Sequence, residues 1–100
     1  GTSGGPVQSQ TLAFIIYKIV AQNCPIQTAL ASPRCANLGR HPKTGGITYL
    51  SEAPQADPVF TWTNGLSDKL GVVQLAGINT LNGQVFAAAD PRGSGVALAV

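Results

Sequence analysis

The sequence predicts an all-β domain, a small antiparallel β-sandwich with a long cysteine-containing connection. Three observations predict it. Turn signals recur through the second half at Asn64-Gly65, Gly71, Asn82-Gly83 and Asp90-Pro91-Arg92-Gly93, the rhythm of short antiparallel strands. The strongest apolar segment, residues 11–21 (TLAFIIYKIVA), is rich in β-branched and aromatic side chains, which favour a pleated surface. No segment carries a long, clean helical period.

Taken in order, residues 1–10 (GTSGGPVQSQ) read as a flexible or extended arm, and residues 11–100 as a single β domain. Residues 11–21 read as a doubly buried strand. The helical spacing of Leu12, Ile15, Ile16 and Ile19 is the competing pattern. Residues 22–45 form a long connection punctuated by Pro25, Pro33, Asn37 and Gly39, with room for a helical turn at 29–31. Thr44-Gly45-Gly46 turns into a strand at 47–50. Two prolines interrupt residues 52–58, and VFTWT at 59–63 alternates like a strand. Further strands are expected at 72–75, 78–81, 84–89 and 96–100, separated by the glycine turns.

The chain has 100 residues, the size of one domain. Hydrophobic residues are 44% of it, which excludes wholesale disorder. Charged residues are 10%, against about 25% in an average soluble domain. A net charge of +2 is too weak a field to imply nucleic acid as a partner. The longest apolar run, Leu12 to Tyr17, ends at Lys18, well short of the roughly 20 residues a spanning helix needs. No membrane insertion is expected. The chain lacks an initiator Met and a leader pattern, so it reads as a mature, processed or excised product. Low charge suits a surface covered by neighbours, and the expected partners are copies of itself or another surface protein.

Cys24 and Cys35 are the only cysteines. A bond between them would close a short loop and contribute about 2–3 kcal/mol by the chain-entropy argument. An even count in a small, weakly charged chain favours an oxidising compartment, so a Cys24–Cys35 bridge and an extracellular, cell-surface or virion location are expected. With His41 as the only histidine, the cysteines do not make a tetrahedral set, and neither a metal nor a cofactor is expected.

Chemistry-bearing residues are sparse. His41 sits between Arg40 and Lys43 with no carboxylate near it in sequence, a poor setting for a general base. Glu52, Asp57, Asp68 and Asp90 are scattered across separate loops. Trp62 and Tyr49 present rings able to stack on a sugar or base, although core packing is the commoner role. Arg34, Arg40 and Lys43 form a small basic loop cluster, a rim contact for an acidic partner. These five residues are the candidate binding set.

Three resemblances add to this reading. Residues 1–6, GTSGGP, resemble the nucleophile loop G-x-S-G-G-P of chymotrypsin-like serine proteases, whose backbone amides converge on an oxyanion while the Ser attacks. That family places its His and Asp earlier in the chain, and here nothing precedes Gly1, so a Gly/Ser arm is the expected reading. Residues 64–77, NGLSDKLGVVQLAG, resemble a short motif of phage tail fibres and bacterial surface fibres, departing from it at Ala76. Tyr17-Lys18-Ile19-Val20, His41 to Ile47 and Ala88 to Gly93 are similar in order to segments of cadherin-like sandwiches, without that family's acidic calcium ligands. The last two resemblances imply extracellular β modules that bind protein surfaces. The function expected from sequence is therefore a non-catalytic structural or adhesive subunit, not an enzyme, that assembles through sheet edges into a fibre, shell or lattice. The alternatives are a monomeric surface binding module and, third, a serine-hydrolase fragment built on GTSGGP.

Overall fold

Residues 11–21 do not form the expected strand. In a computed structural model, which describes residues 1–3 and 5–96, a 3-10 turn at Gly5–Val7 leads straight into helix α1, Gln8–Val20. The burial pattern gives the reason. Val7, Thr11 and Ile15 are buried at intervals of four, with Phe14 and Ile19 packed against the core that holds Ile15. That is one stripe of a helix, where a strand would bury alternate residues. The opposite flank, Ile16, Tyr17 and Val20, is exposed. Burial of the stripe overrides the weak strand preference of the β-branched side chains. Pro6 sits in the entering turn, where its fixed φ and missing N–H are tolerated.

The helix stops at a left-handed residue. Asn23 has φ +55°, and the Cys24 N–H donates to the Lys18 carbonyl, six residues back, at 2.9 Å. The wider closure satisfies one of the carbonyls that the last helical turn leaves without a partner. Helix α2, Ile26–Ala31, follows at once and buries Ala29 and Leu30. Residues 1–10, expected as an arm, thus hold a paired edge at Thr2, the 3-10 turn and the start of α1.

Five strands form two separate sheets. β1, Cys35–Arg40, and β2, Ile47–Ser51, make an antiparallel hairpin with a bulge between Asn37 and Gly39. β1 falls inside the stretch expected to be a connection. β3, Phe60–Trp62, adds to β2 in parallel, with Tyr49 opposite Phe60 and their rings stacked 5.0 Å apart. β4, Gln74–Ile78, and β5, Val85–Ala89, form the second sheet, an antiparallel pair. Gly83 in the turn between them has φ +72°, as a tight hairpin demands. Gly77 faces Phe86 across this pair, and the ring lies where a Cβ at position 77 would be. The all-β sandwich is therefore corrected to a mixed α/β fold. The expected strand at 96–100 lies outside the described residues from 97 onward.

Two small cores hold the elements together. Ile15, Leu30, Val73 and Ala88 join α1 and α2 to the β4–β5 sheet, with Leu75 and Ile26 at the margin. Val7, Ala36 and Leu70 join the start of α1 to β1, with Leu50 against them. The described face of β4–β5 away from the helices stays open: Ile78 and Val85 are 63% and 68% exposed. The radius of gyration is 15.2 Å, above the roughly 13 Å of a self-contained domain of this length. A two-stranded sheet is marginal alone, and the β4–β5 pair relies on Ile15 and Leu30 of the helices packing against it.

Candidate functional site

The glycine-rich start is fastened to the strand that opens the second sheet. The Gly1 nitrogen donates to the Gln74 carbonyl at 2.8 Å, and Gln74 N–H donates back to Gly1 O at 2.7 Å. Thr2 bridges Val73 in antiparallel sense. Ser3 N–H donates to Val72 O at 3.4 Å, and Val72 N–H donates to Ser3 Oγ at 3.3 Å. A cleft of about 520 Å³ opens beside this edge, lined by Gly1, Val73, Leu75, Ala88 and Asp90 among others. A smaller one of about 290 Å³ lies against Gly1, Thr2 and Ser3. The chain then enters α1, whose N-cap position is Val7, with no capping side chain and no acidic residue in the first turn. Such a helix start offers N–H donors and the positive end of the macrodipole to an incoming negative charge.

Beneath this edge lies a buried quartet of charges. Arg92 forks onto Glu52: Nε donates to Oε2 at 2.6 Å and Nη2 donates to Oε1. Its Nη1 donates to Asp90 Oδ1 at 2.9 Å. Asp90 Oδ2 accepts from Arg34 Nη2 at 2.7 Å and from Val73 N–H at 2.8 Å. Backbone groups satisfy most of what remains. Arg92 donates to the Leu30 and Ser32 carbonyls, and Arg34 to those of Leu30, Leu70 and Gly71. Glu52 accepts from Arg34 N–H and Ser67 N–H. Among the described residues, only Arg34 Nε of the buried side-chain polar atoms lacks a partner. The quartet is neutral in sum, which is how four ions stay buried in so small a fold.

Protonation follows from those contacts. Burial pushes the Glu52 and Asp90 carboxyls up, but hydrogen bonds outweigh it and hold both below the ordinary range. For Glu52 the donors are Arg92 and the Ser67 and Arg34 amides; for Asp90 they are the Val73 and Arg92 amides and both guanidinium groups. Burial lowers the Arg34 pKa, only partly offset by Asp90, while Arg92 is raised on balance by its two carboxylate partners. A carboxylate depressed in the folded state stabilises the fold above its unfolded pKa and ceases to as pH falls through the folded value. Stability is therefore expected to hold above about pH 5 and to fall steeply below about pH 4, near the unfolded carboxylate pKa values. Urea midpoints measured from pH 6 down to 2 check this, and Glu52→Gln should flatten the acid limb.

The sequence-derived candidates are dispersed. Arg34 is a member of the buried quartet. Arg40 sits at the end of β1 opposite Ile47 and donates from Nη1 to Gly45 O at 2.8 Å. Lys43 is in the exposed β1–β2 turn, its N–H donating to His41 Nδ1 at 3.1 Å. Trp62 lies at the other end of β2, opposite Ser51, half exposed, with Nε1 donating to the Glu52 carbonyl at 3.1 Å. Tyr49 stacks on Phe60. Cys24 and Cys35 stand as free thiols, and the expected bridge is not formed. Sequence reasoning missed Glu52, Asp90 and Arg92 as partners. The available signal was composition: only ten residues are charged, and four of them gather here.

A scan of family models finds no match, and neither does a search of curated proteins. Solved structures do match. Over 100% of its length the chain is similar to a highly active point mutant of gamma-glutamyltranspeptidase from Pseudomonas nitroreducens, with TM-score 0.75 and 23% identity. It is similar over the same span to that enzyme complexed with L-DON, with TM-score 0.73 and 23% identity. In each case it covers 53% of the other chain, so it spans about half the length of these structures. The likeness to an enzyme corrects the expectation of a non-catalytic fibre, shell, lattice or adhesive module, and with it the expectation that the chain is no enzyme. What these comparisons establish is a fold, shared along the whole of this chain with about half of those structures.

Proposed function

We propose that this chain is part of an acyl-transfer enzyme acting on γ-glutamyl compounds, and that its glycine-rich start helps bind the charge that develops during transfer. The observation that carries the reading is the likeness to gamma-glutamyltranspeptidase along the whole chain. Moving a γ-glutamyl group off an amide passes through a tetrahedral centre with negative charge on oxygen. Preorganised N–H donors stabilise that charge. A Gly4-Gly5 sequence lets a backbone bring N–H groups close to a ligand. The uncapped start of α1 adds donors and a favourable dipole.

Ser3 is a binding group in this reading. Its Oγ accepts from Val72 N–H, which leaves its O–H to donate to a substrate oxygen. It is not assigned as the nucleophile, because the single histidine is held in the β1–β2 turn by Lys43 and Thr44. The attacking group comes from the rest of the natural protein. The test is L-DON binding by the natural protein that contains this chain. Saturating L-DON should raise the melting temperature, since a ligand that binds only the folded state stabilises it by about 2.7 kcal/mol at a hundred times Kd. The Ser3→Ala protein should need at least several-fold more L-DON. No thermal shift and no calorimetric heat would reject the reading.

A further inference from the structure

The buried quartet meets the cleft at Asp90 and reaches the glycine-rich edge in two steps. Asp90 Oδ2 holds Val73 N–H at 2.8 Å, and Arg34 Nη1 holds the Gly71 carbonyl at 3.0 Å and the Leu70 carbonyl at 3.3 Å. The segment 70–73 is thus fixed from one side by charged side chains. From its other side it fixes Gly1, Thr2 and Ser3 through the backbone pairs at Val72, Val73 and Gln74. Thr11 in the first half of α1 ties the same segment to the helix, its Oγ1 donating to Leu70 O at 3.0 Å. There is no slack at this junction: a Cβ at Gly71 would stand 2.5 Å from Thr2 Oγ1 and 3.0 Å from Ser3 O.

We infer that Asp90 and Arg34 are positioning residues for the Gly1–Ser3 edge, acting through the 70–74 segment as a rigid spacer. A hydrogen-bonded ion pair with further backbone bonds has one low-energy geometry, and a Lys would not reproduce the guanidinium fork. Its consequence for catalysis rests on the acyl-transfer reading; its consequence for the edge itself does not.

The experiment is Asp90→Asn in the natural protein, read by amide hydrogen exchange and by turnover of a chromogenic γ-glutamyl anilide. Ser3 and Gln74 amides, which do not touch Asp90, should exchange at least about tenfold faster. Ile15 in α1 and Tyr49 in β2 should change by less than about threefold. Turnover should show kcat lowered about tenfold with KM within about twofold, the pattern of a lost transition-state interaction. Unchanged exchange at Ser3 and Gln74, or an equal rise at all four sites, would overturn the inference, since a residue serving stability alone loosens the fold evenly. Wild-type protein without turnover would reject the acyl-transfer reading and leave the exchange result to decide this one. Should Asp90→Asn fail to fold, Arg34→Lys serves instead. It keeps a cation beside Asp90 but drops the donors to Leu70 and Gly71, and the same four amides are read.

Discussion

Arg92→Ala is expected to lower the stability of the protein by about 3–5 kcal/mol, the cost of leaving buried charges without their partner. Arg92 is the hub of the quartet, forking onto Glu52, pairing with Asp90 and closing the Leu30 and Ser32 carbonyls. Its side chain and both carboxylates are fully shielded from solvent. Removing it strands two carboxylates in a site with only Arg34 left to answer them. Set against the roughly 5–15 kcal/mol that keeps an ordinary domain folded, the loss is a large share. Arg92→Lys should recover part of it, because a point charge remains but the bidentate geometry does not. Urea denaturation of the three proteins reads the difference. A loss below about 1 kcal/mol for the alanine variant, the worth of a surface pair, would contradict the account.

Gly71→Ala is expected to damage activity more than stability. Gly71 has φ +88° and ψ 155°, a region that is nearly glycine-only, and strain there costs about 1–3 kcal/mol. The added methyl meets Thr2 Oγ1, the Ser3 carbonyl and Thr11 Cγ2. The edge of residues 1–3 must move away, and a displacement of about 1 Å at a reacting site can cost a hundredfold in rate. The control is Gly83→Ala, also at positive φ, where nothing lies within 4 Å of a Cβ. That variant should lose about 1–2 kcal/mol from backbone strain alone and keep its turnover. Equal turnover in the two variants would separate the edge from the chemistry.

The fold was legible where local rules act alone. Asn64-Gly65 and Asn82-Gly83 mark real turns, with positive φ at Asn64, Gly65 and Gly83. The strands near 47–50 and 59–63 lie close to β2 and β3. Residues 11–21 misled because β-branched content and helical spacing pointed opposite ways, and the spacing prevailed once Thr11 and Ile15 found a core. β1 was hidden behind the Cys, Pro and Gly punctuation of residues 22–45, and the parallel pairing of β3 has no local signature. The quartet was illegible for a different reason. Glu52 and Arg92 are 40 residues apart, and Arg34 and Asp90 are 56 apart. In sequence each looks like a loop charge, and only the fold brings opposite signs together. The GTSGGP segment resembles a nucleophile loop in sequence, but its pairing partner is hidden, since Gly1 and Gln74 are 73 residues apart.

The central claim is that this chain serves γ-glutamyl transfer. The most direct test is turnover by the natural protein containing it, with a γ-glutamyl anilide as donor and a dipeptide amine as acceptor. Release of the aniline together with a new γ-glutamyl dipeptide, slowed by Gly71→Ala and untouched by Gly83→Ala, is the expected result. Absence of both products from folded protein, with donor and acceptor saturating, would contradict the account.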